Sequence, residues 1–119
     1  LARFMLALKV SLAAQGEPCT LIFDEVDAGV GGAVAEAVGG RLQRLAETGQ
    51  VLVVTHSPQV AARGSSHWQV KKSDAGEGMS TQVEILQGDT RLEEVARMLS
   101  GADVTDEARA AARRLLEAK

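Results

Sequence analysis

Two short apolar runs, separated by one amphipathic segment, constrain the fold of this chain more than any other feature of its sequence. The runs are Thr20–Phe23 and Val51–Val54, and polar residues follow each of them directly. Runs of this length are typical of strands that a sheet buries on both faces, and the segment between them has helical spacing. Its apolar residues are Val34, Val38, Leu42 and Leu45. Because a helix that joins two such strands makes them parallel, the sequence predicts an α/β fold.

The rest of the chain adds further helices and one hairpin. Residues 1–15 have helical spacing, and the absence of an initiator methionine or a capping residue there indicates a piece of a longer protein. The residues that share a helical face in this segment are Leu1, Met5, Leu8 and Leu12. Residues 67–72 and 81–86 alternate as strands do, and the polar, glycine-containing connection between them predicts a β-hairpin.

Three more helices are predicted from the residues at their starts. Ser57 with Pro58 favours a short helix, because serine caps a helix and proline suits its first position. Thr90 and Glu93 have the spacing of a capping box before a helix that Gly101 ends. The last helix is expected to start at Asp106–Glu107, since acidic side chains stabilise the positive end of a helix.

Composition excludes several classes of function. Aromatic residues make up only 3% of the chain, so stacking on nucleic-acid bases is a poor hypothesis. The net charge of -3 gives no general attraction to DNA or to an anionic membrane. The single cysteine, Cys19, cannot form an internal disulfide, and no stretch reaches the roughly 18 apolar residues of a membrane span. We therefore expect a protein of the reducing cytoplasm, with no membrane partner.

Polar side chains that suit nucleotide hydrolysis follow both apolar runs. Asp24 and Glu25 follow the first run and His56 comes shortly after the second. Parallel strands present their carboxyl ends at one edge of a sheet, where ligands of open α/β sheets bind, so these side chains are expected to meet. A strand that ends in Asp-Glu has the arrangement of a Walker B motif. One carboxylate can then hold Mg²⁺, and the second can orient or deprotonate the attacking water.

The same residues have simpler interpretations. An apolar strand that ends in two carboxylates is common, and a histidine after a strand is most often an ordinary loop residue. The glycines at 29, 31 and 32 indicate a tight turn rather than a phosphate-binding Walker A loop, because no Gly-Lys-Ser/Thr follows them. The matching positions of Asp24, Glu25 and His56 at two strand ends favour the catalytic interpretation.

Several segments resemble the RecN family, the SMC-like ATPases of bacterial recombination and repair. Leu21–Gly32 resembles the family's Walker B motif and D-loop, and Val53–Gly64 its switch-histidine segment. Arg97–Gly101 and Thr105–Ala108 resemble its carboxyl terminus, and Leu1–Lys9 the helix that follows its Ser-Gly-Gly-Glu signature. The resemblance implies that residues 1–119 are the C-terminal lobe of an ABC/SMC-type P-loop ATPase head, with parallel strands, helices and a β-hairpin. Walker A, the signature motif and the coiled coil are absent from the sequence.

The resemblance also implies roles for individual residues. Asp24 would support Mg²⁺, Glu25 would be the catalytic base, and His56 would contact the γ-phosphate of ATP. The D-loop, which would act across a dimer, consists of Ala28, Gly29, Val30 and Gly31. Gly31 stands where many related D-loops have an aspartate, so only backbone contacts are expected from it.

The implied function is Mg-ATP-dependent head dimerisation and ATP hydrolysis in the repair of DNA double-strand breaks. Two heads would enclose ATP as a homodimer, and the N-terminal half of the same head would complete each site. DNA would be bound through the full-length protein, in the cytoplasm and at the nucleoid. Hydrolysis by this chain alone is expected to fail.

Two other functions remain open on the sequence. The chain could be a non-catalytic module for dimerisation or DNA docking, derived from an ATPase lobe, although the intact catalytic residues argue against that. It could also be a metal-dependent hydrolase; its ligands would be Asp24, Glu25, Asp27 and His56. Such compact ligation by protein groups is unusual for Mg²⁺.

Two further features have ordinary structural interpretations. The arginines at 109, 113 and 114 are expected to form a solvated helix face paired with Glu107 and Glu117, rather than a DNA site. Trp68 is expected to be a packing residue of the hairpin.

Overall fold

The computed structural model describes residues 20–25, 27–74, 76 and 78–118. The helix predicted over residues 1–15 and the position of Cys19 lie outside the described residues. The chain divides into two compact units, Leu1–Arg63 and Gly64–Lys119, and each is described by itself below.

The first unit contains the predicted strand, helix and strand. Strand β1 spans Thr20–Asp24, helix α1 Gly32–Leu45 and strand β2 Gln50–Val54. The strands pair in parallel, with Thr20 opposite Gln50 and Asp24 opposite Val54. The predicted parallel unit is therefore confirmed, and the two strands end at the same edge.

The core of the first unit lies on one face of the strand pair. Phe23 is buried there against α1 residues that include Val38 and Leu42. The alternate residues Ile22 and Val54 are 61% and 54% exposed, so the prediction of strands buried on both faces is wrong. Successive side chains of a strand point to opposite faces, and α1 covers only one of them.

A short helix follows β2 and packs closely on α1. This helix, α2, spans Pro58–Ala61, and the Ser57 hydroxyl accepts a hydrogen bond from the Val60 N–H at 3.5 Å, as the sequence predicted. At Gly39 of α1, a Cβ would lie 3.0 Å from Cγ of Arg63 and 3.3 Å from the carbonyl oxygen of Gln59. Only glycine allows α1 to approach this segment so closely.

The second unit begins with the predicted hairpin. Strand β3 spans His67–Ser73 and strand β4 Ser80–Leu86, and they pair antiparallel. Trp68 lies opposite Ile85, and both side chains are more than half exposed. Trp68 therefore contributes less packing than the sequence predicted.

Two helices complete the second unit. Helix α3 spans Gly88–Ser100 and helix α4 Asp106–Glu117, and they share a core of small side chains. The fully buried members of that core are Val95, Ala96 and Ala112. A small-residue core allows two helices to pack at close range without large aromatic side chains.

The ends of these helices correct one prediction and confirm others. The predicted capping box of Thr90 and Glu93 is wrong, because the N-cap is Gln87 and Thr90 lies at the third helical position. The Thr90 hydroxyl accepts a hydrogen bond from the Gln87 N–H at 3.0 Å. Gly101 ends α3 with a φ of 84°, a conformation that favours glycine. As predicted, α4 has two acidic residues in its first turn.

The ion pairs of α4 differ from the predicted ones. Arg109 pairs with Glu93 of α3 at 2.7 Å and with Asp106 at 3.0 Å, not with Glu107. Arg109 therefore joins the two helices. Among the described residues, no helix has both the length and the apolar character needed to cross a membrane.

Candidate functional site

Two of the three polar residues predicted to meet at the carboxyl edge of the strand pair, Glu25 and His56, do so. The Glu25 N–H donates to the carbonyl oxygen of Val54 at 2.9 Å, which continues the parallel ladder by one bond beyond β1. This bond places Glu25 beside the segment that contains His56. Asp24, the last residue of β1, is exposed at the same edge.

Glu25 and His56 are in direct contact. Nε2 of His56 lies 3.0 Å from Oε1 of Glu25, and the two side chains are 90% and 50% exposed, respectively. A carboxylate and an imidazole at this distance can share a proton, and both are open to a ligand from solvent. The arrangement suits proton transfer.

The backbone of Glu25 adopts an unusual conformation. Its φ is 52°, and Glu25 is the only non-glycine residue with positive φ in the described parts of the chain. Such conformations cost about 1–3 kcal/mol and persist where the surrounding structure enforces them, often at functional sites. Here the Glu25 carbonyl oxygen accepts from the Ala28 N–H at 3.1 Å, and Gly29 continues the turn with a φ of 76°.

A second contact between the two strand-end segments was not predicted from the sequence. Asp27 is only 6% exposed, and the Thr55 hydroxyl donates a hydrogen bond to its Oδ2. The same hydroxyl oxygen accepts from the Ser57 N–H at 2.9 Å. The sequence did contain a signal for this contact: Thr55, a hydroxyl residue directly before His56, and Asp27, a third carboxylate two residues after Glu25.

A shallow cleft of about 340 Å³ opens at this edge. It is lined by Glu25, Asp27, Ala28, Gly29, Val30, His56 and Ser57. The cleft thus combines the contact between Glu25 and His56 with three of the four residues of the predicted D-loop. Asp24 and Gly31 are not among its lining residues.

The metal-dependent hydrolase with four protein ligands is not supported by the structure. Within residues 20–25, 27–74, 76 and 78–118, no group of three or more His, Cys, Asp or Glu side chains could hold a metal ion. Asp27 is bonded to Thr55 instead. The exposed carboxylate of Asp24 nevertheless fits Mg²⁺ held in the usual way, by one or two carboxylates with several waters retained.

The chain is similar to curated proteins named DNA repair protein RecN. It is 52% identical to the one from Mycobacterium leprae over 99% of this chain and 20% of that protein. It is 47% identical to the one from Streptomyces coelicolor over 98% of the chain, and 52% identical to the one from Deinococcus radiodurans over 85%. The chain thus spans about a fifth of the length of these relatives. No protein-family model matches it.

The fold is similar to that of a solved structure. That chain comes from work on ATP-driven dimerization and DNA-stimulated activation of SMC ATPases, and the TM-score is 0.68 at 17% identity. The match covers 86% of this chain and 61% of the other. The predicted α/β fold, with parallel strands, helices and a β-hairpin, is therefore confirmed, and it is similar to the fold of that SMC ATPase structure.

Proposed function

From this similarity to RecN proteins we propose that the chain is a C-terminal part of a RecN-family protein and that it contributes half of an Mg-ATP site to a DNA repair ATPase. The observation that carries the proposal is the 3.0 Å contact between His56 and Glu25 at the carboxyl edge of two parallel strands. In open α/β sheets this edge is where ligands bind.

Each residue at the edge has a role in the proposed reaction. Asp24 holds Mg²⁺, which neutralises charge on the phosphate oxygens when bound. Glu25 accepts the proton of the attacking water, and its half-exposed side chain gives that water access. His56 contacts the γ-phosphate, where a hydrogen bond stabilises the charge that develops during transfer.

The remaining parts of the proposed ATPase site belong to other segments of the full-length protein. The N-terminal half of the head provides the Walker A lysine and the opposing head provides the signature segment, so ATP joins two heads as a homodimer. The predicted D-loop, residues 28–31, contacts the opposing head through its backbone. The full-length protein binds DNA near double-strand breaks, in the cytoplasm and at the nucleoid.

The test of this proposal is Glu25→Gln in a full-length RecN protein that carries this segment. Glutamine keeps the size and one oxygen of the side chain but cannot accept a proton. Turnover should fall by about 10²-fold or more while ATP binding persists. Because ATP then stays between the heads, an ATP-dependent dimer should accumulate, which size exclusion with light scattering measures.

The control is Asp24→Asn, which removes the proposed Mg²⁺ ligand and should weaken the ATP-dependent dimer. Near-normal turnover in Glu25→Gln would contradict the catalytic role and favour the alternative, a non-catalytic module for dimerisation or DNA docking. Tight ATP binding by a monomer would contradict head closure.

A further inference from the structure

We infer that the hydrogen bond between Thr55 and Asp27 is a positioning device that holds His56 against Glu25. The inference rests on the proposed function, because it concerns the geometry of that same pair. Thr55 and Asp27 do not contact the transferred phosphate in this scheme. They act through His56 and Glu25.

His56 needs such a device because its own side chain is barely packed. The imidazole is 90% exposed, so neighbouring side chains restrict its position very little. Its direction is therefore determined mainly by the backbone on either side of it. That backbone belongs to Thr55 and Ser57.

Thr55 anchors both of these flanking positions. Its hydroxyl donates to Oδ2 of Asp27 and accepts from the Ser57 N–H at 2.9 Å, so one oxygen connects three residues around His56. Ser57 is held further by its own hydroxyl, which accepts from the Val60 N–H at 3.5 Å at the start of α2. The histidine thus projects from a segment that is fixed before and after it.

Asp27 anchors the other side of the pair. It is buried two residues after Glu25, whose N–H is bonded to Val54, the residue before Thr55. The two strand-end segments are therefore joined by one backbone bond and one side-chain bond, and the contact between Glu25 and His56 lies beside both. Loss of the Thr55 hydroxyl would leave a buried carboxylate without this donor, and such a group moves toward water.

The test is Thr55→Val in a full-length RecN protein that carries this segment, with Thr55→Ser as the matched control. Valine keeps the branched shape and lacks the hydroxyl, whereas serine keeps the hydroxyl. We expect Thr55→Val to lower kcat by about tenfold or more, since displacement of a catalytic group by about 1 Å can cost 10²-fold. The KM for ATP should change by less than about threefold, because neither anchor binds the nucleotide in this scheme. Thr55→Ser should restore most of the turnover.

Two measurements distinguish positioning from a general loss of structure. Turnover is expressed per molecule of bound ATP, so that unfolded protein is not counted. Thr55→Val is also combined with Glu25→Gln. In this double variant, Thr55→Val should add less than about twofold to the loss that Glu25→Gln causes alone, since residues that act as one unit are not additive.

The possible outcomes separate this inference from the proposed function. Wild-type kcat in Thr55→Val, with Glu25→Gln inactive, would overturn the positioning role and leave the proposed function intact. Fully additive losses in the double variant, or a serine variant as slow as the valine variant, would also overturn it. Wild-type turnover in Glu25→Gln would instead overturn the proposed function.

Discussion

The two units of this chain use histidine and acidic side chains in opposite ways. In the first unit, His56 and Glu25 meet in solvent at the end of a strand pair, and the core behind them includes Phe23. In the second unit, His67 is partly buried, and the acidic residue Glu93 joins two helices through Arg109. The carboxylates of Glu25 and Glu93 are about equally exposed, at 50% and 48%, so the difference lies in their partners, an exposed histidine in the first unit and an arginine of a neighbouring helix in the second. Substitutions should therefore separate activity from stability between the two units.

The largest expected effect is that of His56→Ala on hydrolysis. Loss of the proposed γ-phosphate contact should lower turnover by about 10²-fold in a full-length RecN protein, whereas ADP affinity should barely change. The free energy of unfolding should stay within about 0.5 kcal/mol, because surface substitutions seldom change it by more. Steady-state kinetics, ADP calorimetry and urea unfolding measure these three quantities. Equal losses of ADP and ATP binding would assign His56 a structural role instead.

The sequence indicated the position of the site better than its supporting contacts. Asp24, Glu25 and His56 follow two strands that are predicted to be parallel. Because parallel strands end at the same edge of a sheet, the sequence predicts a reactive site at that edge. The bond between Asp27 and Thr55 depends on how two loops fold against each other, and hydroxyl and carboxylate residues have many partners available in loops.

The fold was likewise predictable where periodicity was strong. The parallel pair, the hairpin and the end of α3 at Gly101 follow from alternation, helical spacing and glycine. The exposure of one face of β1 and β2 could not be predicted, because an apolar run does not show which elements of the fold cover each face of the strand. The start of α3 was also missed, because threonine is a preferred N-cap residue and glutamine is not, whereas the structure has Gln87 at the N-cap.

A smaller effect is expected at the contact between α1 and α2, where two adjacent glycines form a matched pair. Gly40→Ala should raise the free energy of unfolding by about 0.5–1 kcal/mol. Alanine favours the helix, and among the described residues no atom beyond the helix's own nearby backbone lies within 4 Å of the new Cβ. Gly39→Ala should be less stable than Gly40→Ala by about 1–2 kcal/mol, because its Cβ meets Arg63 and the backbone of Gln59. Urea unfolding of both variants measures the difference. Equal stabilisation by the two alanines would show that the helices are further apart than the structure indicates.

The smallest expected effect concerns His67, which is partly buried whereas His56 is exposed. Its Nδ1 is buried and has no hydrogen-bond partner among the described residues. Burial lowers the pKa of His67 below its ordinary value of 6.5, the charge of Arg91 lowers it further, and Glu94 partly opposes them. The folded protein therefore favours the neutral imidazole.

The sign of the resulting pH dependence follows from this lowered pKa. Between the folded pKa and 6.5, the unfolded chain binds more protons than the folded one, so protonation favours unfolding. The Tm should fall as the pH decreases from about 6.5, and the wild type should lose more than His67→Gln, which cannot take up the proton. The effect should be small because the imidazole is only partly buried, and water screens much of the cost of charging it.

Thermal unfolding of both proteins from about pH 8 to about pH 5 measures this effect, and the two curves of Tm against pH should be parallel in the upper part of this range. An equal decrease in both proteins at low pH would show that groups other than His67 cause it, and the contrast between the two histidines would then be one of exposure alone.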